Sequence, residues 1–140
     1  MQVGKLVEYA VYFQMVEHFM SNDLFHPNHH GSLAHHSTAT AIIQLFDMCL
    51  EAANNGELSA LCLLDQSAAY DLLCHQGLKE KLKLYNFADP AVEWLMSYLS
   101  GRTQIVQVES RTSSELECDD SGVPQGSVLG GLLHSACNHE

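Results

Sequence analysis

Near the start of the chain, Leu6, Tyr9, Phe13, Val16 and Met20 recur at three- and four-residue spacing. That period predicts an amphipathic helix over about residues 5–20, closed by Ser21-Asn22-Asp23. His26-Pro27-Asn28-His29-His30-Gly31 reads as a loop by its Pro, Asn and Gly. A second helix follows, capped by Ser37 or Thr38, with an apolar face of Ile42, Leu45, Phe46, Cys49 and Ala53. Asn54-Asn55-Gly56 is its stop signal. Residues 58–64 are nearly all apolar and form a short run, which predicts a central strand buried on both faces. The run ends in Asp65, a carboxylate that is costly at the end of a buried strand unless something compensates it.

Residues 67–84 read mainly as helix, with a break near Gln76-Gly77. Asp89-Pro90 places a capping residue before a proline at the first helical position. Val92, Leu95, Tyr98 and Leu99 supply that helix's apolar side, Trp94 flanks it, and Gly101 closes it. Residues 103–109 alternate and are rich in β-formers, so a strand is expected, then a polar turn at 110–114 and a weaker strand at 115–118. Gly122-Val123-Pro124-Gln125-Gly126-Ser127 is a glycine-flanked loop. The last stretch begins apolar and ends in Cys137-Asn138-His139-Glu140, with no strand pattern. Neither a repeat nor a low-complexity linker interrupts the 140 residues, so one domain is expected.

Charge narrows the choice of partner. Six basic against 17 acidic residues give a formal charge of −11. Nucleic-acid surfaces normally rest on clustered Lys and Arg, so weak or no nucleic-acid binding is expected of this chain. Three of the six cations, Lys79, Lys81 and Lys83, fall within five residues. The five cysteines are odd in number, widely spaced and without a C-x-x-C, which disfavours a disulfide framework or zinc ribbon and suits a reducing compartment. Lys5-Leu6-Val7-Glu8 interrupts any signal-peptide core, and no apolar run approaches the roughly 20 residues of a bilayer span. An intracellular chain without a membrane segment is expected. His26, His29, His30, His35 and His36 crowd one stretch, but their spacing fits no zinc template, and a solvated loop is expected there.

Three local patterns carry candidate chemistry. They are Asp65-Gln66-Ser67-Ala68-Ala69-Tyr70-Asp71, the glycine-flanked loop through Gly130, and Ser97-Tyr98-Leu99-Ser100-Gly101-Arg102. Singly, each has a plain structural reading: Asp65 as a helix cap, Tyr70 as a core aromatic, the Pro-Gln-Gly loop as a turn. In this order and spacing they resemble the reverse transcriptases of non-long-terminal-repeat retrotransposons, over about residues 6–133. Residues 65–71 are similar to the first catalytic box of that family, and 122–130 to the second. Residues 97–102 are similar to a connecting segment, and 29–38 to part of the fingers.

The resemblance implies an α+β fold of fingers and part of a palm over residues 1–133, with helices packed on a small, mostly antiparallel sheet, followed by an unrelated tail at 134–140. It implies nucleotidyl transfer: a 3′-hydroxyl attacks an incoming deoxynucleoside triphosphate on an RNA template with a DNA primer. Two divalent metals stabilise the attacking and leaving oxygens in such reactions, and hard oxygen ligands suit Mg2+. On this reading Asp65 and the Gln66 carbonyl are metal ligands, Tyr70 crowds the sugar 2′ position, and Gln125 and Gly126 lie beside nucleotide and template. The chain departs from the pattern in two places. After the second box the family has an Asp-Asp pair, whereas this chain runs into His134-Ser135-Ala136. In the fingers, Leu33 and His36 stand where the family usually has arginines. An inactive part of a polymerase is therefore expected, and a non-catalytic interaction protein or a pseudogene product derived from a mobile element stays open beside it.

Overall fold

The computed structural model describes residues 2–66, 68–109, 111–117 and 121–138. Ser67, Ser110, Cys118 and the last two residues, which the expected helix, turn, strand and tail include, lie outside them. The described chain is α+β, with five helices and short antiparallel strand pairs. It divides into two compact units, Met1–Ser67 and Ala68–Asn138.

The first unit holds α1 (Gln2–Ser21) and α2 (Thr38–Asn54). Ser37 caps α2 through a reciprocal pair: its hydroxyl accepts from the Thr40 N–H at 3.2 Å, while the Ser37 N–H donates to Thr40 Oγ1 at 2.9 Å. Both helices end with the chain folding back. Leu24 N–H donates to Phe19 O at 2.9 Å behind a left-handed Asp23, and Glu57 N–H donates to Ala52 O at 2.9 Å behind Gly56. The face that α1 buries is not the expected stripe: Met15 and Phe19 are buried, whereas Leu6, Tyr9, Phe13 and Met20 are exposed. Phe19 packs on Phe25, ring centroids 5.0 Å apart, and Tyr12 donates to Ser32 O at 2.6 Å, so the loop after α1 settles on the Met15–Phe19 side. No residue of α2 is buried, and its expected face leaves Ile42 and Phe46 exposed.

The strand expected at 58–64 does not form. Residues 57–66 adopt no regular structure, and Leu63 and Leu64 are 82% and 93% exposed. A strand buried on both faces exists only between flanking strands, with cover above and below. Among the described residues nothing pairs with this segment, so apolar composition alone does not order it.

The second unit carries nearly all of the described core. α3 (His75–Leu84), α4 (Asp89–Leu99) and α5 (Gly130–Asn138) pack with α3 in the middle. Leu78 and Leu82 of α3, Val92, Leu95 and Leu99 of α4, and Leu132, Leu133 and Ala136 of α5 are buried, as is Leu129 just before α5. The helix expected over 67–84 starts only at His75, because 68–72 turns, with Asp71 and Leu72 N–H both donating to Ala68 O. Gly77 lies in the first turn of α3 rather than at a break, and Cys74 Sγ accepts its N–H. Asp89 is the first helical residue of α4, not its cap; Ala88 holds that position, and Asp89 instead offers its charge to the helix N-terminus. α5 runs through residues 134–138, where Lys81 Nζ donates to Cys137 O and the Tyr85 hydroxyl to Ala136 O at 3.4 Å. Burial first, and the neighbouring Cys137 second, push the Tyr85 phenol above its ordinary value.

The strand expected at 103–109 forms as two pieces of one arm. β1 (Thr103–Gln104) pairs with β4 (Leu116–Glu117), and β2 (Gln107–Val108) with β3 (Arg111–Thr112). The register slips by one between them: 105–106 on one side face 113–115 on the other, which makes a bulge. Ser113 fills it, its hydroxyl accepting from Val106 N–H at 2.9 Å.

Candidate functional site

The two boxes meet through their backbones. Gly122 N–H donates to Leu73 O and Val123 N–H to Tyr70 O, each at 2.8 Å, and Cys74 bridges to Ser121 in antiparallel fashion. His75, buried at the head of α3, donates from Nε2 to Gly122 O at 2.7 Å. A carbonyl only accepts, so the proton of this bond lies on Nε2. Gly122 sits at φ +83°, and a Cβ there would lie 3.2 Å from the carbonyl oxygens of both Tyr70 and Asp71. Only glycine meets both demands.

The rest of the loop follows from local rules. Pro124 O accepts from Ser127 N–H at 3.1 Å, closing a turn whose third residue, Gly126, takes φ +75°. Ser127 Oγ then accepts from Gly130 N–H at 2.9 Å, as a cap does at the head of α5. A Cβ on Gly130 would fall 2.8 Å from that oxygen, so the glycine makes room for the cap. The Gly-Val-Pro-Gln-Gly-Ser-Val-Leu-Gly pattern is thus a close approach, a turn and a capped helix start in succession.

Beside the loop lies a cleft of about 520 Å³, lined by Asp71, Leu99, Arg102, Gln104, Glu117 and residues 121–125. Among the described residues it holds one cation, Arg102, and two carboxylates, Asp71 and Glu117. Gln125 Nε2 reaches Asp71 Oδ1 at 3.5 Å, a long contact between two of its lining residues. Gln125 therefore lines the cleft, with Gly126 in the turn next to it. Tyr70 is 43% exposed but is not a lining residue; its ring lies 5.3 Å from that of His134. In the sequence, Asp71 and Arg102 stand out only as parts of longer motifs. The signal for Arg102 was its spacing, four residues after Tyr98, which lets the guanidinium donate to Tyr98 O at 3.3 Å and sit 5.5 Å from the ring centre.

Asp65 and Gln66 belong to the first unit, in its exposed, irregular last segment. Among the described residues no group of three or more His, Cys, Asp or Glu gathers to hold a cation. Of the two positions lacking arginine, Leu33 is half-buried and His36 exposed, its Nδ1 3.1 Å from Ala34 O. The histidine stretch is only partly the solvated loop expected. His29 stacks on Phe25 at 5.3 Å, and His30 is half-buried between Thr40 Oγ1 at 2.9 Å and Gln44 Oε1 at 2.6 Å.

Comparison with known proteins bears on these boxes. No family model matches the chain, and no solved structure does. Among curated proteins it is 30% identical over 138 residues to the probable RNA-directed DNA polymerase from transposon X-element of Drosophila melanogaster. It is 36% identical over 110 residues to the corresponding probable polymerase from transposon BS of the same organism, and 33% over 106 residues to that of mobile element jockey from Drosophila funebris. These matches cover 99%, 78% and 75% of the chain. The chain belongs to the reverse transcriptases of non-long-terminal-repeat retrotransposons. As a member of that family it spans only 15%, 12% and 11% of the length of these relatives. The match to the X-element reverse transcriptase is 138 residues long in a chain of 140, so it takes in residues 134–138, which fold as part of α5. Among the described residues no helix is long and apolar enough to cross a membrane.

Proposed function

We propose that this chain is a fingers-and-partial-palm portion of an RNA-directed DNA polymerase and does not extend a primer by itself. The observation that carries the reading is the junction of the two boxes: residues 70–74 are hydrogen-bonded to 121–123, which sets Gln125 into an open polar cleft. Nucleotide handling asks for such convergence on a rigid frame, since misplacement by about 1 Å costs on the order of a hundredfold in rate. In this proposal Gln125 and Gly126 lie beside nucleotide and template, and Tyr70 restricts the sugar. Asp65 and the Gln66 carbonyl offer oxygen ligands to Mg2+, but the described side chains do not complete a cation site. No Asp-Asp pair follows the second box within residues 131–140. Template RNA, DNA primer and deoxynucleotides are the proposed substrates of the complete polymerase.

Two reactions test this. The chain alone, given primer, RNA template and magnesium or manganese, is expected to give no extension above a heat-killed control. A chimera with residues 5–133 in place of the matching segment of the X-element polymerase is expected to extend, and its Asp65→Ala variant to lose extension. Extension that persists in the Asp65→Ala chimera removes Asp65 from the catalytic set, and extension by the chain alone refutes the claim of inactivity.

A further inference from the structure

Along α4, away from its buried face, runs a ladder of side chains. The Trp94 indole lies parallel to the Tyr98 ring, interplanar angle 7° and centroids 5.7 Å apart. The Arg102 guanidinium continues the row, 5.5 Å from the Tyr98 centroid, and its donation to Tyr98 O fixes its position. Val92, Leu95 and Leu99 point the other side of the helix into the core. Trp94 is 37% exposed, Tyr98 half-buried and Arg102 exposed. The ladder ends at the cleft, because Arg102 is one of its lining residues, together with the amides of Gln104 and Gln125 and the carboxylates of Asp71 and Glu117.

We propose that Trp94, Tyr98 and Arg102 form a stacking platform for unpaired nucleotides of a single-stranded nucleic acid entering the cleft. The inference rests on the polymerase reading for its choice of ligand, but on these three side chains for its geometry. Flat π-faces next to a fixed guanidinium match the two features that every nucleotide offers, a base to stack and a phosphate to pair. The attraction is short-range stacking with one cation, not a field from a basic surface. It therefore favours unpaired bases over a duplex, whose bases already stack on each other.

Trp94 is the sole tryptophan, so its fluorescence reports this site alone. The full chain is titrated with short oligo(rU) and oligo(dT), with polyphosphate of equal charge as control. Saturable quenching is expected with either oligonucleotide and not with polyphosphate. The affinity should fall with a log–log salt slope of about −0.7, as for one phosphate contact on a single strand. Arg102→Gln, at an exposed position, and Tyr98→Leu, which keeps apolar bulk, should each weaken binding about tenfold. If Tyr98→Leu loses its far-UV signal, Arg102→Gln alone decides. No quenching at millimolar nucleotide, equal quenching by polyphosphate, or wild-type affinity in Arg102→Gln overturns the proposal. Failure of this site and failure of the polymerase reading are separable: extension by the chimera without quenching of the chain refutes only the platform, and quenching without extension refutes only the polymerase role.

Discussion

Gly122→Ala should be among the most damaging single-methyl additions in the second unit. The residue stands at φ +83°, where a side chain costs about 1–2 kcal/mol. The new Cβ would also meet Tyr70 O and Asp71 O at 3.2 Å and Asp71 Cα at 3.3 Å, all backbone atoms that cannot swing aside. Crowding of this kind adds about 1–3 kcal/mol. The strain falls on three hydrogen bonds, Gly122 to Leu73, Val123 to Tyr70 and His75 to Gly122, each worth about 0.5–1.5 kcal/mol. A total of about 2–5 kcal/mol is expected. Gly126→Ala is the internal control: it shares the left-handed backbone, at φ +75°, but its Cβ would meet nothing within 4 Å, so about 1–2 kcal/mol is expected. Urea unfolding followed by Trp94 fluorescence reads the second unit directly. Equal midpoints for the two variants would refute the argument, since they differ only in what the methyl group touches.

Three further outcomes follow from the same geometry. Tyr85 is held protonated by burial, so its phenol should titrate above pH ~10 by ultraviolet absorbance. With the folded value raised, its contribution is intact below the ordinary value of about 10 and is lost as pH climbs through the folded value; Tyr85→Phe should flatten that alkaline loss, and an unchanged profile would count against it. Ser127→Ala should cost about 0.5–2 kcal/mol through the lost cap, while Gly130→Ala in that background should cost much less than in wild type, because the oxygen 2.8 Å away is gone; strict additivity of the two changes would show that they do not touch. Amides of residues 58–66 should exchange with solvent within the dead time of a hydrogen-exchange experiment while those of α3 are protected, and protection at 58–64 would mean that a partner for this segment has been missed.

The sequence was most legible where a signal and its consequence are close together. The Ser37 cap, the stop at Gly56 and the buried face Val92, Leu95 and Leu99 all follow from neighbours within one or two turns. The motif match located the second box, and its glycines proved to have separate steric reasons that the letters alone do not reveal. Residues 58–64 misled because a central strand is defined by what lies beside it, which apolar composition cannot supply. The stripe on α1 misled for a related reason: several apolar positions competed for one small core, and Phe25 arriving from the loop selected the side of Phe19. The cleft was half legible. Gln125 was named from the motif, but Asp71 and Arg102 enter it through contacts 54 residues long in one case and through the geometry of a helix end in the other.

The placement of α3 between α4 and α5 has a consequence for the newborn chain. α4 leaves the ribosome soon after α3 and can cover one of its sides at once. The other side waits for Leu132, Leu133 and Ala136, and the polar ties from Lys81 and Tyr85 close over separations of 56 and 51 residues. At translation speeds of about 5–20 residues per second, Leu78 and Leu82 stay partly open to solvent for about 3–10 s before α5 emerges. Folding of this unit is therefore gated by synthesis of its last helix, and holdase chaperones have their opening in the gap between α4 and α5.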